Sequence, residues 1–154
     1  MTAVAAPVAL ELEHVFDYTV ALNPPVVFGS RMFYEALSGR VTGPRLNGDV
    51  LRGGGDWATV RPDGWVGLDV RGHTRTDDGV LLYFSYDGLL EPTPAFNRAV
   101  ATGGETAFED QYWRVSIRVE TDDPRYQWLT RSTLLGRGRL CADRGVAYQV
   151  FRVG

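Results

Sequence analysis

Apolar and polar residues alternate along most of this chain, in short runs broken by turn residues. No other feature constrains the fold as much, because successive side chains of a β-strand point to opposite faces. Leu10, Leu12, Phe16, Tyr18, Val20 and Leu22 alternate with Glu11, Glu13, Asp17 and Thr19. Val66, Leu68 and Val70 alternate with Asp69, Arg71 and His73, and Trp113, Val115, Ile117 and Val119 with Arg114, Ser116, Arg118 and Glu120. Between such runs stand Arg61-Pro62-Asp63-Gly64, Thr76-Asp77-Asp78-Gly79, Asp122-Asp123-Pro124 and Ala142-Asp143-Arg144-Gly145. In these, proline presets a turn, Asp-Gly favours a tight hairpin and proline ends a ladder.

The pattern predicts strands over 8–22, 31–41, 47–52, 57–61, 65–76, 80–86, 110–121, 126–130, 133–140 and 145–153. One short helix is predicted over 92–100, where Thr93 can cap, Pro94 suits the first turn and Ala95, Phe96, Ala99 and Val100 give an apolar side. Nine to ten short strands with regular turns read as all-β, an antiparallel barrel or sandwich. Good β sequence at both ends favours the closed barrel, since pairing the first strand with the last removes the sheet's edges. At 154 residues the chain is expected to be one domain over 1–154, with a flexible 1–7.

Composition narrows the chemistry. All 16 basic residues are arginine, so neither a lysine Schiff base nor a lysine general base is available. The net charge of -3 argues against nucleic acid and acidic membranes as partners. Cys141 is the one cysteine and forms no internal disulfide. The first ten residues lack a basic stretch and a long apolar run, and nothing reaches the roughly 18 apolar residues of a membrane span, so a cytoplasmic protein is expected. The two histidines, His14 and His73, fall on separate strands without metal-ligand spacing, and no nucleotide fingerprint is present, so neither metal nor cofactor is expected.

Several stretches carry a family resemblance. They are Gly43-Pro44-Arg45-Leu46-Asn47-Gly48-Asp49-Val50 running into Gly53-Gly54-Gly55-Asp56-Trp57, then Arg61-Pro62-Asp63-Gly64, Leu68-Asp69 and Arg75-Thr76-Asp77-Asp78-Gly79. Tyr112-Trp113-Arg114, Arg118-Val119-Glu120-Thr121 and Pro124-Arg125-Tyr126-Gln127-Trp128-Leu129-Thr130-Arg131 complete the set. On these the chain resembles the domain of unknown function 3237, or UPF0311, family. The resemblance covers nearly the whole chain and implies a small antiparallel barrel, mostly of bacterial proteins, with no general biochemical assignment.

The candidate site residues lie on the strand faces. Asp56 follows three glycines, which are costly unless the backbone needs them. It reads either as a carboxylate at a pocket rim with Trp57 as an apolar wall, or as an acceptor across a glycine turn. Asp69 sits mid-strand, a position unfavourable to aspartate without a compensating use. It reads as a general acid or base, or as a structural partner of Arg71. His73 is a possible proton relay. Tyr83 and Arg114 are candidates for steadying an oxyanion, because phenols and guanidinium forks donate to oxygen. Trp57, Arg71, Tyr86, Arg118, Trp128, Arg131 and His14 are candidate substrate contacts. All of this depends on which register faces the interior: polar faces turned inward make a lumen, and polar faces turned outward make a solvated surface.

The expected function is a cofactor-independent acid/base enzyme of the isomerase, cyclase or hydratase type. Its substrate would be a small apolar or aromatic metabolite carrying a carbonyl or hydroxyl group. The alternatives are a non-catalytic small-molecule carrier and a structural barrel without a pocket. Aromatic residues on both registers of several strands add the expectation of a homodimer.

Overall fold

The computed structural model describes residues 1–154. Its strands are β1 (Leu12–Leu22), β2 (Val26–Phe28), β3 (Arg31–Thr42), β4 (Gly48–Val50), β5 (Gly55–Val60), β6 (Val66–Thr76), β7 (Leu81–Leu90), β8 (Trp113–Glu120), β9 (Leu134–Cys141) and β10 (Gly145–Val153). They form one antiparallel sheet in the order β1-β10-β9-β8-β7-β6. β4 and β5 each bridge β6 to β3, and β3 returns to pair with β1, closing the barrel. β2 pairs with β3 alone and leaves one edge open. The expected pairing of first and last strands runs from Leu12↔Val153 to Ala21↔Gly145.

Two helices flank the barrel. α1 (Pro94–Thr102) begins as its sequence predicts: the Thr93 hydroxyl accepts from the Phe96 N–H, Pro94 opens the first turn and Gly103 ends the helix in the left-handed region. α2 (Gln127–Thr130) follows a 3₁₀ turn at Pro124–Tyr126. This corrects the strand expected over 126–130 and the count of a single helix. The Asp123 carboxylate accepts from the Arg125 N–H and Pro124 fixes the first turn. Tyr126 and Leu129, three apart, are then buried together at helical spacing.

Other boundaries differ for local reasons. β1 starts at Leu12 and not at residue 8, because β10 supplies partners only as far as Val153. β7 continues to Leu90, past Asp87-Gly88, where a Cβ on Gly88 would stand 2.2 Å from the Arg114 carbonyl oxygen. β2 has no counterpart in the sequence reading; it turns back onto β3 through Gly29, which has φ +60°.

The core sits inside the barrel and is densest at one end. Phe16, Val41, Leu46, Leu82, Leu129, Leu134 and Val150 are fully buried there, beneath α2 and the 43–47 loop. The opposite end is reached by Leu22, Gly64, Leu90, Phe96 and Arg144, beside α1. The molecule is therefore a cup with a packed base and an accessible mouth.

Candidate functional site

The inward register is the apolar one. On β6, Val66, Leu68 and Thr74 are buried and Val70 is partly buried, whereas Asp69, Arg71, His73 and Arg75 are exposed. On β8, Trp113, Val115, Ile117 and Val119 are buried, whereas Arg114, Ser116, Arg118 and Glu120 are exposed. Of the two facings that the sequence left open, the structure has the polar faces outward, so they build no polar lumen. An unscreened row of charges inside a barrel lacks the partners that would offset its desolvation, so the apolar row takes the interior.

The outward residues have ordinary surface surroundings. Asp69 and Arg71 approach only to 3.9 Å. His73 packs beside Tyr83 on the outer surface, ring centres 5.4 Å apart. Arg114 donates to its own neighbour's carbonyl and lies over Tyr112. Trp57 also turns outward, stacking near Phe33 at 4.7 Å and remaining 45% exposed. A bulge between His14 and Phe16 breaks the β1 register, so His14 leaves the apolar face and bonds the Asp17 carboxylate at 2.7 Å. Trp128 and Arg131 belong to the packed base: Arg45 covers the Trp128 ring at 3.9 Å and Arg131 donates to Gln127. Arg71 and His73 do border the cavity, where β6 passes from pairing with β5 to pairing with β4.

The cavity has a volume of about 470 Å³ and a mostly apolar lining. That lies within the range of small-ligand pockets. Of the sequence candidates, Asp56 and Tyr86 line it from the inward register, and Arg71 and His73 border it. Asp56 lies on β5 opposite Val70 of β6 and Tyr34 of β3, both lining residues. Its carboxylate accepts one hydrogen bond, from the Asp69 N–H at 3.1 Å. Burial pushes its pKa up to about 7; that hydrogen bond works against the rise and the nearby Asp69 charge adds to it.

Around Asp56 the interior gathers phenols, of which the sequence reading named Tyr86 and missed Tyr18 and Tyr148. Tyr18 of β1, Tyr86 of β7 and Tyr148 of β10 form a cluster, with ring centres 4.8 Å apart for Tyr18–Tyr148, 5.5 Å for Tyr86–Tyr148 and 6.2 Å for Tyr18–Tyr86. Trp113 meets Tyr148 edge-on at 5.6 Å. Burial holds all three phenols well above the ordinary tyrosine pKa, and the Asp56 charge raises each further. They therefore stay protonated, each keeping an O–H. Tyr34 is raised by burial and by Asp56 in the same way. Tyr18 Oη and Trp113 Nε1 are buried in the cavity wall without a hydrogen-bond partner. A donor in that state costs on the order of 1–3 kcal/mol. The signal for these residues was present in the sequence. Tyr18, Tyr86, Trp113 and Tyr148 each sit on the apolar register of their strand, where a phenol or indole brings a polar atom into the core.

No group of three histidine, cysteine, aspartate or glutamate side chains is arranged to hold a metal ion. No helix is long and apolar enough to cross a membrane.

The fold and cavity together define a class: a small closed antiparallel barrel with a ligand-sized apolar lumen. The chain belongs to the family described as protein of unknown function (DUF3237), whose model matches residues 10–153. A UPF0311 protein of Clostridium acetobutylicum is 32% identical over 141 residues, covering 88% of this chain and 87% of the relative. The crystal structure of a conserved protein of unknown function from Rhodopseudomonas palustris superposes with a TM-score of 0.88 at 27% identity, covering 97% of this chain and all of that one. An enzyme from Penicillium herquei shares the fold, with a TM-score of 0.71 at 16% identity, over 99% of this chain and all of that one.

Proposed function

We propose that this protein is a cofactor-independent acid/base enzyme acting on a small apolar or aromatic compound with a carbonyl or hydroxyl group. The observation that carries the proposal is Asp56: a carboxyl with pKa about 7 in an apolar cavity, facing protonated phenols. Near neutral pH such a group both takes and returns a proton efficiently. In the proposed step the Asp56 carboxylate removes a proton from a carbon beside the carbonyl. The electron pair moves onto the carbonyl oxygen, and donors from Tyr18, Tyr86, Tyr148 or Trp113 stabilise the resulting enolate. Asp56 then returns the proton at another carbon, so the step is a redox-neutral isomerisation. The same groups serve a cyclisation or a hydration. The Penicillium herquei enzyme supports the reading at the level of architecture only, as an enzyme built on this fold.

Asp69, Tyr83 and Arg114 have no lumenal role in this scheme, because they lie on the outward register of their strands and do not line the cavity. Arg71 and His73 stay in it as border residues at the β5–β4 junction.

The test begins with mass spectrometry of small molecules retained by the purified protein, then follows turnover of the retained compound. The rate is expected to change through a midpoint near pH 7 in the wild type and to lose that midpoint in Asp56→Asn, with a fall of about 10²–10⁴-fold. A folded Asp56→Asn variant with undiminished turnover overturns the proposal.

A second reading, a carrier of an apolar ligand, is favoured by the lumen offering a single carboxyl and no imidazole among its inward side chains. It predicts a retained ligand that leaves chemically unchanged. We also propose a homodimer, on the exposed apolar hairpin formed by β2 and β3.

A further inference from the structure

Gly72 stands in the middle of β6, and nothing in the backbone asks for glycine there. Its φ is not in the left-handed region. Glycines elsewhere in the sheet are held by contact: a Cβ on Gly39, Gly54 or Gly88 would come within 2.2 Å of a carbonyl oxygen on the neighbouring strand. A Cβ on Gly72 would meet nothing within 4 Å. The vacant direction is inward. Gly72 follows Val70 and precedes Thr74 on the lumenal register, it pairs with buried Phe84, and it lines the cavity. A strand glycine weakens its strand and gives its neighbours no side chain to pack against. At this position it leaves open a volume that any other residue would fill.

That volume adjoins the reacting carboxyl. Asp56 pairs with Val70, and Gly72 is the next inward residue along β6. Diagonal neighbours across two strands lie roughly 7–8 Å apart. Phe84 and Tyr86, opposite Gly72 and Val70, set aromatic rings on the adjoining wall.

We infer that Gly72 is a specificity-determining residue: it admits the bulky part of the ligand, a ring or branched hydrocarbon group attached next to the atom that Asp56 serves. The inference rests on the lumen being the binding site proposed above. It adds which substrates enter, namely those with apolar bulk beside the carbonyl or hydroxyl group and not only at its far end.

The experiment uses phenol, 2-naphthol and 4-phenylphenol as probes, titrated calorimetrically into the wild type and into Gly72→Ala, Gly72→Leu, Gly72→Phe and Asp56→Asn. The wild type is expected to bind the two larger phenols more tightly than phenol. Enlarging residue 72 is expected to weaken 4-phenylphenol stepwise, by at least about tenfold at Gly72→Phe, while phenol changes by less than about threefold. Gly72→Ala is expected to raise the midpoint of thermal unfolding, because the methyl group enters free space, and this holds even if Gly72→Phe fails to fold. Asp56→Asn is expected to keep the size discrimination. Losses equal for all three phenols, no losses, or a lowered unfolding midpoint for Gly72→Ala overturn the role of Gly72 alone. A wild type that binds none of the probes overturns it together with the lumen as a site for such compounds. Undiminished turnover by Asp56→Asn overturns the acid/base reading and leaves Gly72 standing.

Discussion

Asp56 is the residue at which fold and chemistry compete. Its pKa of about 7 in the folded chain lies far above the value of about 3.9 for an unfolded aspartate. The folded state therefore binds the proton more tightly than the unfolded state between those values. The resulting stability is full below about pH 4 and is lost as pH rises through about 7. Above that, the folded chain carries a poorly solvated carboxylate whose cost is roughly 2–4 kcal/mol at 1.36 kcal/mol per pH unit. Asn at position 56 carries no charge and keeps an oxygen to accept from the Asp69 N–H. Asp56→Asn is expected to be more stable than the wild type at pH 8–9, with the advantage shrinking toward pH 5. Urea unfolding at the two pH values measures this, and an equal difference at both would show that Asp56 does not titrate near neutrality. The sequence pointed to Asp56 through its three glycines, but it left a lumenal carboxylate and a turn acceptor equally open. The structure has features of both, since the carboxylate borders the cavity and accepts from a backbone N–H across the β5–β6 pair.

At the scale of elements, the glycine run before Asp56 and the glycine in β6 make opposite demands. Gly54 approaches the β6 backbone so closely that a Cβ would stand 2.2 Å from the Arg71 carbonyl oxygen. Gly54→Ala is expected to cost about 1–3 kcal/mol by forcing β5 away from β6, measured by chemical denaturation against Gly72→Ala, which is expected to gain. A tolerated Gly54→Ala would mean that the strands have room to separate. Period two and the turn residues made most strands legible, and β10 begins and ends where the pattern placed it. What alternation did not give was direction. Both registers of β6 are continuous, and a row of Asp69, Arg71 and His73 reads equally as lumen or surface until the neighbouring strands decide. His14 was misplaced because a single bulged residue reverses every face before it. The 126–130 segment was misread because Tyr126, Trp128 and Thr130 satisfy a strand period while Tyr126 and Leu129 satisfy a helical one. The capping Asp123 and the Tyr126 hydroxyl on Asp78, at 2.7 Å, favour the helical arrangement.

At the scale of the whole molecule, the barrel answers its own edge problem almost everywhere. Closure through β1–β3 and β1–β10 leaves β2 as the strand with a free side. That strand is entirely apolar and exposed, with Val26 at 62%, Val27 at 61% and Phe28 at 59%. Phe33 and the exposed Trp57 continue the apolar surface onto β3 and β5. An edge with unpaired N–H and C=O groups and no charge or proline within it is a template for another strand. A two-fold contact pairing β2 with β2 of a second copy would satisfy both edges with one surface, the commonest arrangement in soluble oligomers. The homodimer proposed above is placed there. Light scattering at micromolar concentration is expected to give twice the 17.1 kDa mass of the chain. Val27→Asp is expected to return it to one chain without altering the cavity, because β2 stands outside the closed barrel and a buried pair of like charges would face each other across the two-fold axis. A single-chain mass for the wild type at every concentration sinks the dimer, and a Val27→Asp protein that remains dimeric moves the contact elsewhere.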